Sequence, residues 1–136
     1  MLKGLTAAMT TPLKVLHVDD DADIREIALL ALDTVGGLDV TQCASGAEAL
    51  AAVQGMQPDV FLLDVMMPEM SGEQLFAALR AMPQFAEVPT IFMTARVQPD
   101  EVTGFKALGA VDVIEKPFDP MTLAERVTSV VNAAKA

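Results

Sequence analysis

The chain has 136 residues, 52% of them apolar, which suits one domain around one core and excludes a disordered composition. Lys and Arg number 9 against 19 Asp and Glu, a formal net charge of −10. That balance argues against a binder of nucleic-acid backbones and fits basic protein partners or divalent cations. Cys43 is the only cysteine, so no internal disulfide forms and a reducing, cytoplasmic setting is expected. No apolar run approaches the roughly 18 residues that span a membrane. Residues 1–13 are broken by Gly4, Thr6 and Thr10, so they read as a flexible lead-in and not as a secretory signal. The domain proper is expected over 14–136.

Short apolar runs then alternate with helical patterns. "KVLHV" (14–18) reads as a strand ending at Asp19, and 22–35 as a helix with Ile24, Ile27, Ala28, Ala31 and Val35 on one face. Leu29 and Leu30 fall off that stripe, and Gly36 and Gly37 stop the helix. Residues 38–44 alternate as a half-exposed edge strand does. The helix over 45–55 opens with Ser45 and Glu48 in capping-box spacing. "PDVFLL" (58–63) is a continuous apolar strand ending at Asp64. The segment 72–82 is a helix with Leu75, Phe76, Leu79 and Met82 inward. Residues 89–93 form a strand ending at Thr94, 99–109 a helix weakened by Gly104, and 111–115 a strand ending at Lys116. A final helix over 120–134 buries Leu123, Val127, Val130, Val131 and Ala134. Five strand–helix units of this kind predict an α/β fold, a parallel sheet with helices on both faces.

In open parallel sheets, sites form at the carboxyl ends of the strands. Here those ends carry Asp19, Asp20 and Asp21, then Asp64, Thr94 and Lys116. Each has an ordinary reading by itself: an N-cap for the first acidic group, strand-end solvation for Asp64, a strand-end Thr, a surface Lys before a turn. Capping explains one Asp and not three. Crowding Asp19 and Asp20 beside Asp64 is repulsive unless a cation sits among them, and Mg²⁺ suits a set of hard oxygens. His17, the only His, lies inside the first strand and reads as structural. There is no His–Ser or His–Cys pair, no Gly-rich phosphate cradle and no zinc spacing. What remains is a carboxylate nucleophile beside a divalent cation, the requirement for an aspartyl-phosphate. Mg²⁺ and Lys116 would neutralise the phosphoryl oxygens, and the Thr94 hydroxyl would donate to one of them. Pro117 permits a cis bond after Lys116.

The motifs "VLHVDDD", "FLLDVMMPEMSG", "FMTA" and "GAVDVIEKPF" together resemble the response-regulator receiver domain of two-component signalling, from about Leu13 to the C-terminus. The resemblance implies a doubly wound, flavodoxin-like, five-stranded sheet in the order 2-1-3-4-5. It implies Asp64 as phosphoryl acceptor from a sensor histidine kinase or histidine phosphotransfer domain, and Thr94 and Lys116 as readers of the phosphoryl oxygens. Asp20 would be the main Mg²⁺ carboxylate, with Asp19 helping through water and the Met66 carbonyl completing the set. Ala95 would leave room for phosphate. Such a domain is a signalling module that catalyses only its own phosphorylation and dephosphorylation, with a downstream protein target and no direct contact with nucleic acid or membrane. The pattern departs from the family at Val113, where an aromatic switch residue often stands. Nothing follows the last helix, which leaves a stand-alone receiver or one excised from a larger chain. The competing reading is a Mg²⁺-dependent phosphatase on small substrates. Relatives of that chemistry need an Asp two residues past the nucleophile, where Met66 stands.

Overall fold

A computed structural model of the chain describes residues 12–135. Most of the expected lead-in, residues 1–11, lies outside the described residues. Leu13 lies inside them, packs against the core, and accepts a hydrogen bond from the Asp39 amide at 2.9 Å.

The strands are β1 (Lys14–Val18), β2 (Asp39–Cys43), β3 (Val60–Asp64), β4 (Thr90–Thr94) and β5 (Asp112–Glu115). They form one parallel sheet in the order β2-β1-β3-β4-β5. β3 and β4 are buried at every position, as central strands of a parallel sheet are, whereas edge strand β2 does not alternate as its sequence suggests but grades from exposed Asp39 through half-buried Val40, Thr41 and Gln42 to buried Cys43. The helices are α1 (Ala22–Leu29, continued by a π-helical turn Leu30–Val35), α2 (Gly46–Ala52), α3 (Gly72–Arg80), α4 (Pro99–Leu108) and α5 (Leu123–Lys135).

Side-chain alternation divides the core in two. Val15, Leu62, Ile91 and Ile114 face α1 and α5, where they meet Ala28, Leu32, Val127 and Val131. Leu16, Leu63 and Phe92 face α2, α3 and α4, where they meet Ala49, Leu75, Phe76 and Phe105. On this second face Phe92 contacts Phe76 edge-on at 5.5 Å between ring centroids and Phe105 at 5.3 Å.

Two of the predicted stripes need correction. In α1 the inward residues are Ala28, Ala31 and Leu32, while Ile27 and Val35 are 44% and 47% exposed. Ala28 and Ala31 are small enough to bring the helix close to the sheet. Leu32, one turn beyond Ala28, then reaches the core, and the wider π turn leaves Val35 outside. Leu29 and Leu30 are exposed, as their phase predicts. In α5, Ala124 is buried and Ala134 is exposed. That helix begins three residues later than its periodicity suggests, because Asp119 first makes a turn that takes up the Met121, Thr122 and Leu123 amides. At α2 the Ser45 hydroxyl accepts from the Glu48 amide, but the Glu48 carboxylate takes the Ala44 amide in place of that of Ser45. The complete capping box is on α3, between Ser71 and Gln74.

Candidate functional site

Parallel registers bring the strand ends level. Leu63 pairs with Val18 and Phe92, Asp64 with Met93, and Thr94 with Glu115. Asp19 directly follows β1, Asp64 closes β3, Thr94 closes β4 and Lys116 directly follows β5. All four therefore meet at one edge of the sheet, around a cleft of about 340 Å³ that Asp20, Met66 and Arg96 also line. Asp19, Asp64 and Thr94 are buried, and Asp20 is exposed at the mouth.

Lys116 ties the carboxylates together. Its Nζ donates to Asp64 Oδ1 at 2.9 Å and to Asp19 Oδ2 at 3.1 Å. The Asp21 amide donates to Asp19 Oδ1 at 2.9 Å, and Asp21 caps α1 with its own side chain. So of the three consecutive acidic residues, one serves the helix and two remain for chemistry. The Lys116–Pro117 bond is cis. Beyond β3 the chain doubles back so tightly that a Cβ at Gly72 would overlap the Asp64 carbonyl, and the Gly72 amide donates to Val65 O at 2.9 Å. Glycine there lets α3 begin against the end of β3.

The charges of the site do not balance. Burial pushes the Asp64 carboxyl up to about 6; the hydrogen bond from Lys116 opposes this, and the Asp19 charge adds to it. Lys116 is itself raised: burial lowers it, but hydrogen bonds to Asp64 and Asp19 outweigh that. The two directions are consistent because one ammonium serves two carboxylates. Lys116 gains from both, while Asp64 has only a share of one cation and loses its hydration.

This unmet negative charge is the argument for a metal. One carboxylate oxygen from each of Asp19, Asp20 and Asp64 lies within 4.8 Å of the others. The donors are all hard oxygens, which fits Mg²⁺ and not a soft metal. Met66 lines the same cleft with its side chain 63% exposed. Thr94 Oγ1 accepts from the Arg96 amide at 3.0 Å, which leaves the hydroxyl proton free to donate to an incoming oxygen. The structure thus brings together every strand-end residue singled out from sequence. It also adds Arg25, whose Nη1 donates to the Asp19 carbonyl at 2.8 Å. An Arg on an amphipathic helix carries no sequence signal for such a role.

Residues 15–128 match the response regulator receiver domain, and the chain belongs to that family, the receiver module of two-component signalling. It is similar to a probable transcriptional regulator of Porphyridium aerugineum, ycf27, with 40% identity over 86% of this chain and 47% of that protein. It is also similar to the transcriptional regulatory protein YvrH of Bacillus subtilis, with 38% identity over 83% of this chain and 46% of that protein. The chain therefore spans about half the length of these relatives. Among solved structures, the chemotaxis response regulator CheY4 of Vibrio cholerae superposes with a TM-score of 0.81 at 37% identity, over 88% of this chain and 99% of that one. No helix among the described residues is long and apolar enough to cross a membrane.

Proposed function

We propose that Asp64 accepts a phosphoryl group from a phosphohistidine, on a sensor histidine kinase or histidine phosphotransfer domain, in a Mg²⁺-dependent reaction. The observation that carries this reading is the buried Asp64 carboxylate sharing Lys116 with Asp19 at the sheet edge. An Asp64 oxygen attacks phosphorus in line with the departing imidazole. The P–O bond forms, the P–N bond breaks, and its electron pair returns to the imidazole, which solvent protonates. Lys116 and the Thr94 hydroxyl are placed to bind the transferred oxygens, and exposed Ala95 leaves space beside them. Asp19, Asp20, Asp64 and the Met66 carbonyl would hold Mg²⁺, which when bound neutralises phosphoryl charge.

Ile27 and Leu30, exposed on α1 with half-buried Ile24 toward the cleft, offer an apolar surface for a helical partner. Val113 is buried beside Phe92 and has no ring to swing. Readout then falls to the 94–98 loop and α4, which Phe105 couples to Phe92, or phosphate passes onward to another domain. The setting is cytoplasmic and the downstream target a protein. The domain catalyses nothing beyond its own phosphorylation and dephosphorylation.

Incubation with acetyl phosphate and Mg²⁺ tests the reading. One equivalent of label is expected, absent in Asp64→Asn, absent when Mg²⁺ is withheld, and abolished in Asp20→Ala even with Mg²⁺ present. Multiple turnover of unrelated phosphomonoesters would replace this reading with the phosphatase one. Met66 and Arg96 line the cleft and set water access, so exchanging either changes the dephosphorylation rate. Rates unchanged in both variants would remove that role.

A further inference from the structure

We propose that Arg25 and Gln42 are positioning residues for the metal-binding turn after β1, acting through the backbone of Asp19. The inference rests on the reading of Asp19 and Asp20 as metal carboxylates. Gln42 stands beside His17 in the β1–β2 register. Its amide nitrogen lies 2.7 Å from the Arg25 carbonyl and 3.0 Å from His17 Nδ1. A carbonyl only accepts, so the NH₂ end of the amide points there, and its second hydrogen goes to Nδ1. His17 Nδ1 is thereby an acceptor, and the ring proton sits on Nε2.

That Nε2 is fully buried and has no partner. A buried donor left unpaired costs stability, so an apolar residue would serve packing better. What the ring supplies is a fixed acceptor. It holds the Gln42 amide, which in turn holds the first turns of α1 at Arg25. From that position the Arg25 guanidinium reaches the Asp19 carbonyl at 2.8 Å. This carbonyl belongs to the peptide that joins Asp19 to Asp20. Its plane fixes the direction in which Asp20 leaves the strand, and hence where the exposed carboxylate stands relative to the two buried ones. The other Asp19 groups are anchored separately: the amide to Cys43 O, Oδ1 by the Asp21 amide, Oδ2 by Lys116. Edge strand β2, which carries no chemistry, thus reaches the site through its Gln42, braced by His17 of β1, and then through Arg25.

Two readouts separate positioning from simple support: Mg²⁺ affinity from amide shift titration, and the tautomer of the sole imidazole from long-range ¹⁵N correlations. The parent is expected to carry its ring proton on Nε2. Gln42→Glu moves that proton to Nδ1 and raises the Mg²⁺ Kd about ten-fold, the usual scale for groups that orient metal ligands. Arg25→Met raises the Kd similarly with little change in Tm, and Arg25→Lys recovers most of the loss. Parent affinity in Arg25→Met overturns the proposal, as do losses that track Tm without rescue by Lys. If Asp20→Asn binds Mg²⁺ as the parent does, the metal reading itself fails and takes the positioning role with it. The His17 tautomer, which needs no metal, then shows that the network was intact.

Discussion

Asp64 and His17 are perturbed in opposite senses, and their effects on stability oppose each other. With the Asp64 carboxyl raised to about 6, the native state holds a proton that the unfolded chain has released, so this group makes stability fall as pH climbs from about 4 to 6. His17, lowered from 6.5 to about 4 by burial and by the Lys116 and Arg25 charges, does the reverse. The unfolded chain binds the extra proton in that window, so stability rises with pH across it. Removing the Asp64 charge should therefore do two things. In metal-free buffer at pH 7, Asp64→Asn gains about 1–2 kcal/mol, discounted from the size of the shift. Between about pH 4 and 6.5 its Tm climbs with a slope that His17→Phe abolishes. Thermal melts of the three proteins check both, and a Tm for Asp64→Asn at or below the parent at pH 7 would contradict the strained-carboxylate account. Cys43 is buried, with its thiol pushed up by burial and by Glu48. It should resist alkylation in the native state and react on unfolding.

At the scale of elements, two glycines make opposite predictions. Gly72 starts α3 against the Asp64 carbonyl, and Gly72→Ala forces the two apart. A loss of about 1–3 kcal/mol and slower labelling of Asp64 are expected. Gly104 lies inside α4 with open space where a Cβ would go. Gly104→Ala should gain about 0.5–1 kcal/mol by helix propensity, with labelling unaffected. Denaturant unfolding of the pair measures both. The same contrast explains what the sequence made legible. Asp19, Asp64, Thr94 and Lys116 each interrupt an apolar run, and a parallel sheet sends such interruptions to one edge. Helix phase was harder to read. Ile27 and Val35 look inward by hydrophobicity, but Ala28 and Ala31 set how close α1 comes, and Leu32 takes the core position. The link from His17 through Gln42 to Arg25 was not readable, because its members lie on three elements and each is commonplace alone. Only the register of β1 on β2 makes them neighbours.

For the molecule as a whole, the net charge of −10 acts on anyone approaching the cleft. Acetyl phosphate is an anion, so at saturating Mg²⁺ its labelling of Asp64 should quicken as monovalent salt rises and screens the repulsion. A basic protein donor should show the opposite trend. Labelling rates across a salt series distinguish the two.

The ion pairs of the cleft also bear on how the chain folds. Lys116 meets Asp64 across 52 residues and Asp19 across 97, so the site closes some of the longest loops in the molecule. Contacts of such separation are expected to form late, after the local helices and the central strands have paired. A divalent ion bound there stabilises the finished fold and not the barrier state that leads to it. Mg²⁺ should therefore leave the refolding rate nearly unchanged and slow unfolding in proportion to its binding. Far-UV circular dichroism can follow both limbs, since a chain with no Trp and no Tyr gives little fluorescence signal. On that expectation a bound ion would act as a latch on the way out of the native state and play no part on the way in.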